Sequence, residues 1–297
     1  MDRLLFLAVI ALLVRPVFAQ PDLSSVEIQT IPLADNVYML VGSGGNIGLS
    51  VGDDGAFLID DQYAPLTEKI KAAVGALTDA PVRFLVNTHW HGDHTGGNEA
   101  WGEGGATIVA HENVRERMST EQFLAAFNAR TPPSPEAALP VVTFTDAVSF
   151  HWNGDEIRVF HVSTAHTDGD AVVHFVGADV IHTGDTFFNK MYPFIDTSTG
   201  GTMAGMIAAA DAVLEIAGPD TKIIPGHGPL ADRADLEAYR AVLATAHERI
   251  SALVAEGKSR EEVVASDPMH DFNETWGAGF LGPEMWVGIA YDAVVAH

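Results

Sequence analysis

From Val26 to Asp60 the chain alternates short apolar runs with polar breaks: VEIQTIPL (26–33), VYMLVG (37–42), IGLSVG (47–52) and AFLID (56–60). Glycines and an Asp-Asp-Gly turn separate them, a pattern that predicts strands joined as hairpins. Between Ala64 and Leu77 the period changes. Leu66, Ile70, Ala73, Val74 and Leu77 recur at helical spacing, so a helix is expected there. RFLVNTH (83–89) then reads as a buried strand ending at His89. The second half repeats the theme with AVSFHW (147–152), EIRVFH (156–161), AVVHFVG (171–177) and DVIHTGD (179–185). A helix from Met203 to Ile216, a strand in KIIPGHG (222–228) and a long helix from about Ala231 to Glu256 complete it. Strands followed by strand-helix units in both halves predict two mixed β-sheets packed together with helices outside. The Pro-rich stretch 128–140 reads as a loop or lid. The main domain is expected over 20–256, with a helical extension over 257–297 whose Trp276, Phe280 and Trp286 pin it to the core.

A hydrophobic content of 47% over 297 residues is ample for a sizeable core. The 40 acidic residues against 16 basic ones, with no Lys/Arg cluster, disfavour nucleic acid and leave a small-molecule substrate as the expected partner. At the N-terminus Arg3 precedes an apolar run from Leu4 to Val14, and Val17-Phe18-Ala19 offers a cleavage site. This layout predicts a signal peptide over 1–19, cut after Ala19, and a periplasmic or secreted protein. The run is too short to span a bilayer comfortably, so no membrane span is expected in the mature chain. Nothing in the pattern decides the oligomeric state. Cysteine is absent, so any metal must be held by nitrogen and oxygen.

That point bears on THWHGDHTGG, residues 88–97, which places His89, His91, Asp93 and His94 within six positions. A strand ending at His89 lets the loop turn back, so that His89 and His91 converge on one metal. Asp93 and His94 face the other side and can take a second, with Gly92, Gly96 and Gly97 permitting backbone angles that bring these side chains inward. Three further residues stand just past predicted strands, where sites are commonly assembled: His166 in STAHTDGD, Asp185 in IHTGDTFF and His227 in IIPGHGP. Asp168, Asp170 and His182 can orient these ligands or cap turns. His111, His151, His161, His174, His247, His270 and His297 carry no motif and are expected to be structural. GSGGN (42–46) is a mobile flap or a hairpin turn, Asn189 or Lys190 could reach a substrate, and Trp90 lines the pocket or packs beneath it.

The order H-x-H-x-D-H, H, D, H resembles the metallo-β-lactamase-fold superfamily of binuclear metallohydrolases. The resemblance implies an α/β fold, an αββα sandwich of two mixed sheets flanked by helices. It implies that His89, His91 and His166 hold one metal, that Asp93, His94 and His227 hold a second, and that Asp185 bridges them. Two Zn2+ per chain are expected, with Fe or Mn compatible with the carboxylates. The implied chemistry is hydrolysis by water activated between the metals, with Asp93 as the catalytic residue that orients the water or moves a proton. Opening the amide of β-lactams is the first expectation. A thioesterase or lactonase, similar to glyoxalase II, is the alternative, because the best-known zinc β-lactamases have a cysteine at the place of Asp185 or no bridging residue.

Overall fold

The computed structural model describes residues 23–296; the expected signal peptide and His297 lie outside them. In chain order the strands are β1 (Gln29–Pro32), β2 (Val37–Val41), β3 (Ile47–Ser50), β4 (Ala56–Ile59), β5 (Val82–Val86), β6 (Thr107–His111) and β7 (Gln122–Leu124). They continue as β8 (Ala129–Thr131), β9 (Val142–Phe144), β10 (Ala147–Trp152), β11 (Asp155–His161), β12 (Ala171–Phe175), β13 (Val180–His182) and β14 (Lys222–Ile224). A seven-stranded sheet runs β1-β2-β3-β4-β5-β6-β9 and a five-stranded sheet β10-β11-β12-β13-β14. The first is antiparallel up to β4 and parallel from β4 to β9. The second is antiparallel except for the parallel β13–β14 pair.

Side-chain alternation along the strands builds three apolar layers. Phe57 and Ile59 of β4 meet Val159, Val173 and Phe175 of the other sheet between the two sheets. Their neighbours Ala56 and Leu58 point the opposite way, onto Ile70, Val74 and Trp101. Those residues belong to α1 (Thr67–Gly75) and to α3 (Asn98–Glu103), which follows the short α2 (Gly92–Thr95). In the second sheet Val172, Ile181 and Ile223 turn outward onto helices from the C-terminal half. The result is αββα, as the pattern predicted.

Helix α4 (Glu112–Met118) follows β6, and the C-terminal half supplies α5 (Met203–Ile216), α6 (Arg233–Ala255), α7 (Arg260–Ser266), α8 (Asn273–Trp276) and α9 (Pro283–Val295). An Asp232–Asp235 capping box starts α6, and Pro283 occupies the first position of α9, where a missing N–H costs nothing. Two expectations change. The stretch 128–140 is no plain loop, since β8 pairs with β7 as a hairpin and Glu136–Ala138 form a 3-10 turn. The helix expected from Ala64 starts as a 3-10 turn over Ala64–Leu66, and α1 proper begins at Thr67.

The extension past Gly257 belongs to the second outer layer. Trp276, Leu281, Trp286, Val287 and Ala290 are buried among residues of α5 and α6. The Trp286 indole stacks on Tyr192 at 3.9 Å between centroids and 8° between planes. Phe280 departs from the expected anchoring role: it is 58% exposed. Trp286→Ala is therefore expected to lower stability by about 3–5 kcal/mol, read from urea unfolding of the whole chain. A loss below about 1 kcal/mol would mean that the extension is not part of the same cooperative unit.

Candidate metal centre

Five strands end at one rim between the sheets, and each is followed by residues of the site. Asp60 follows β4, His89 to His94 follow β5, His166 follows β11, Asp185 follows β13, and His227 follows β14. Cross-sheet bonds lace this rim: Ala171 N–H donates to Thr88 O (2.8 Å), and Asn46 N–H donates to Gly226 O (2.7 Å). The Asn46 side chain donates to both Pro225 O and Gly228 O (2.9 Å each). The loop before it, 42–46, is thus a tied-down hairpin turn. It also packs on the site, because a Cβ at Gly45 would collide with the His94 ring. Gly92, Gly96 and Gly97 let the side chains of their loop turn inward without a positive φ. Gly96 instead permits close approach, since a Cβ there would sit 2.7 Å from Ala64 N and Gln62 O.

The seven residues expected as ligands come together in two groups. His89, His91, His166 and Asp185 have ligand atoms within 4.8 Å of one another, as do Asp93, His94 and His227. Asp185 reaches into both. Its Oδ2 is 3.5 Å from His166 Nε2, 3.8 Å from His89 Nε2 and 3.4 Å from His227 Nε2, and its Oδ1 is 3.1 Å from His94 Nε2. Asp93 Oδ2 lies 3.3 Å from His227 Nε2 and 3.8 Å from His94 Nε2.

Partners outside the cluster fix which ring nitrogen faces inward. His91 Nε2 donates to Asp196 Oδ2 (3.2 Å), and His166 Nδ1 donates to Phe194 O (2.8 Å). His94 Nδ1 donates to Asp60 Oδ2 (2.7 Å), which also accepts the Thr88 hydroxyl (2.7 Å). With its own proton spent, Thr88 Oγ1 can only accept from His89 Nδ1 (3.1 Å). One carboxylate therefore sets the tautomers of two imidazoles, one in each group. The chain leaves β4 through left-handed Asp60 (φ 60°) and Gln62 (φ 58°). Each such non-glycine residue costs on the order of 1–3 kcal/mol, a strain of the kind that collects where a side chain must be aimed.

Lone pairs consequently converge. His166 Nε2 and His91 Nδ1 face each other at 2.8 Å, and His89 Nε2 is buried without a hydrogen-bond partner. The electrostatics agree. Burial and the neighbouring His94 push the His89 pKa down, and burial takes His166 to about 4. Burial also opposes charge on His94 and His227, yet Asp185 and Asp93 hold His94 well above its usual value and raise His227 to about 9. Against the same burial, His94 and His227 lower Asp93 to about 2, and His227 and His94 hold Asp185 well below the carboxylate range. Such a cluster calls for positive charge among its donors. Imidazole nitrogens and carboxylate oxygens, without thiolate, suit divalent zinc, iron or manganese.

Asp60 and Asp196 were not anticipated as orienting carboxylates. Asp170 takes the capping role, accepting from the backbone N–H of His166 (2.6 Å) and Thr167 (2.8 Å). Burial pushes its carboxyl up to about 8 despite these bonds. Asp168 pairs with Arg117 at 2.6 Å, and His182 donates from Nε2 to Asn46 O (3.0 Å).

Above the ligands lies a cleft of about 510 Å³. Trp90 lines it, together with Tyr63, Leu124, Phe127, Phe194 and Phe280. Asn189 and Lys190 do not line it. Lys190 (φ 61°) directs its ammonium to Asp235 (3.8 Å), and buried Asn189 donates to Pro229 O (3.1 Å).

Comparison with known proteins bears on the family and the fold. Residues 40–227 match the sequence profile of the metallo-beta-lactamase superfamily. A hydroxyacylglutathione hydrolase of Pelagibacter ubique is 27% identical over 206 residues, 68% of this chain and 70% of that protein. A metallo-beta-lactamase from Pontibacter korlensis superposes with a TM-score of 0.59 at 21% identity, covering 73% of this chain and 99% of its own. A double mutant of a sec-alkyl sulfatase gives 0.67 at 17% identity, covering 91% of this chain and 50% of its own.

Asp60→Asn should leave the fold intact but weaken metal affinity by roughly 10- to 100-fold, because an amide cannot accept from His94 and Thr88 as the carboxylate does. Competition with a chromogenic chelator measures this. Unaltered affinity would show that Asp60 does not orient the ligands.

Proposed function

The chain belongs to the metallo-beta-lactamase superfamily of metal-dependent hydrolases, and from that premise we propose that it cleaves thioester or lactone carbonyls with a pair of zinc ions. Asp185 carries the proposal. It stands between the two groups of ligands, within 3.8 Å of a histidine in each, and an aspartate there departs from the best-known zinc β-lactamases. The hydroxyacylglutathione hydrolase relative points the same way. The β-lactam amide, the first expectation from sequence, thereby becomes the second reading.

In this reading His89, His91 and His166 would hold one cation and Asp93, His94 and His227 the other, with Asp185 placed to serve both groups. Bound there, divalent cations supply Lewis acidity toward the carbonyl oxygen and bring the pKa of water towards neutrality. The protein's own part is orientation. Asp93, ionised at neutral pH, accepts a hydrogen bond from the attacking water and aims it at the acyl carbon. A C–O bond forms and the C–S or C–O bond of the substrate breaks. The departing sulfur or oxygen takes up one proton of the water, and the other is released to solvent. Asp60 and Asp196 keep the imidazoles in register throughout.

The test is a panel of an S-acyl thioester, a γ-lactone and a chromogenic cephalosporin, offered to the zinc-loaded protein. Thioester or lactone turnover should exceed that of the cephalosporin by about tenfold or more, equivalent to roughly 1.4 kcal/mol in the barrier, and a chelator should abolish it. Fastest turnover of the cephalosporin would return the β-lactam reading to first place.

Export accords with the apolar run and cleavage site within residues 1–19. N-terminal sequencing of protein released from the cell envelope should begin at Gln20. A mature protein that still begins at Met1 would exclude the signal peptide.

A further inference from the structure

We propose that Phe127 and Phe280 form a subsite for the hydrocarbon arm of an uncharged acyl substrate, an inference that rests on the hydrolase reading above. Tyr63, Phe127 and Phe280 are 37%, 39% and 58% exposed. Single exposed apolar side chains are ordinary on protein surfaces, but these three come from distant segments and converge on one cleft. Phe280 extends from the C-terminal segment to within 6.2 Å of the His227 ring. Phe127 packs on Phe194 at 4.8 Å, and Phe194 in turn lies 5.8 Å from His91 and 5.7 Å from His166. One phenylalanine thus stands beside each group of ligands, with open space between them.

Both are held out over the cleft by their neighbours. Leu281, next to Phe280, is buried and anchors the segment that leads into α9. Phe127 ends the 3-10 turn Ala125–Phe127 between β7 and β8, just before Asn128, whose left-handed φ of 48° turns the chain into β8.

The charge pattern selects what can enter. No described residue lining the cleft is Lys or Arg, whereas Asp93 and Asp185 are among them. Cations from adjoining segments are engaged elsewhere: Lys190 with Asp235, Arg130 with Glu121 and Arg117 with Asp168. Away from the metal ligands, a substrate whose far end bears carboxylates, as a glutathione conjugate does, would find no Lys or Arg along the walls of the cleft. A neutral alkyl chain would exchange water for aromatic carbon.

The test uses p-nitrophenyl esters from acetyl to octanoyl on the zinc-loaded full chain. kcat/KM should rise roughly fourfold per added methylene until the cleft is filled. An ester of the same length ending in a carboxylate should fall back to the acetyl level or below. Phe280→Ala and Phe127→Ala should flatten the slope, raising KM for the octanoyl ester more than they lower kcat, and Phe280→Leu should recover most of it. Met285→Ala, at an exposed position outside the cleft, should keep the wild-type slope. Far-UV circular dichroism and zinc content confirm that each variant is folded.

Calorimetric titration with octanamide reads the subsite without turnover. Binding that weakens in Phe280→Ala supports the subsite even if no ester is cleaved, a result that would overturn only the reaction. A flat chain-length series from an active wild type, or a wild-type slope in Phe280→Ala, overturns the subsite and leaves the reaction standing.

Discussion

Five imidazoles and two carboxylates crowd together at the rim where the two sheets meet, five of the seven groups buried and Asp93 and His227 half-buried, and such a cluster calls for cationic charge among its donors. Isolated charges are expensive to bury, and facing lone pairs repel. The rest of the rim is built to hold these groups in that arrangement. Asp60 and Asp196 fix ring tautomers, Asp170 caps the His166 loop, and Asn46 ties the first sheet to the His227 loop. The left-handed backbone at Asp60 and Gln62 is held where the surrounding hydrogen bonds determine it.

How much of this could be read in the chain follows from how local each signal is. Buried strands of the sandwich were legible because they are bounded by Gly and Asp, as in AFLI before Asp60 and KIIPG before His227. H-x-H-x-D-H was legible because its spacing is contiguous, and His166, Asp185 and His227 because each stands in the loop that leaves a strand. Asp60 escaped notice since Asp60-Asp61 after an apolar run reads as a turn, and nothing local says that Thr88 and His94 fold onto it. Asp196 lies 105 residues from His91, beyond the reach of any spacing argument. β6 and α4 have only a short local signal, the apolar run TIVAH followed by the helical start ENVRERM.

Direction was the least legible property. Lys190 has the right sequence position to reach a substrate, but its left-handed backbone turns the side chain toward Asp235. Among the aromatics of the extension, Trp276 and Trp286 anchor as expected while Phe280 faces the cleft. Composition cannot separate those cases, because a buried anchor and an exposed wall use the same residue types. The extension thus contributes on two levels: Trp286 to the core beneath the second sheet, and Phe280 to the entrance above the ligands.

The central claim is that two divalent cations share Asp185. Anomalous diffraction at the zinc edge from crystals of the zinc-loaded protein tests it most directly. Two peaks are expected, one among His89, His91 and His166 and one among Asp93, His94 and His227, each within bonding distance of an Asp185 oxygen. A single peak, or two peaks with Asp185 bound to neither, would contradict it.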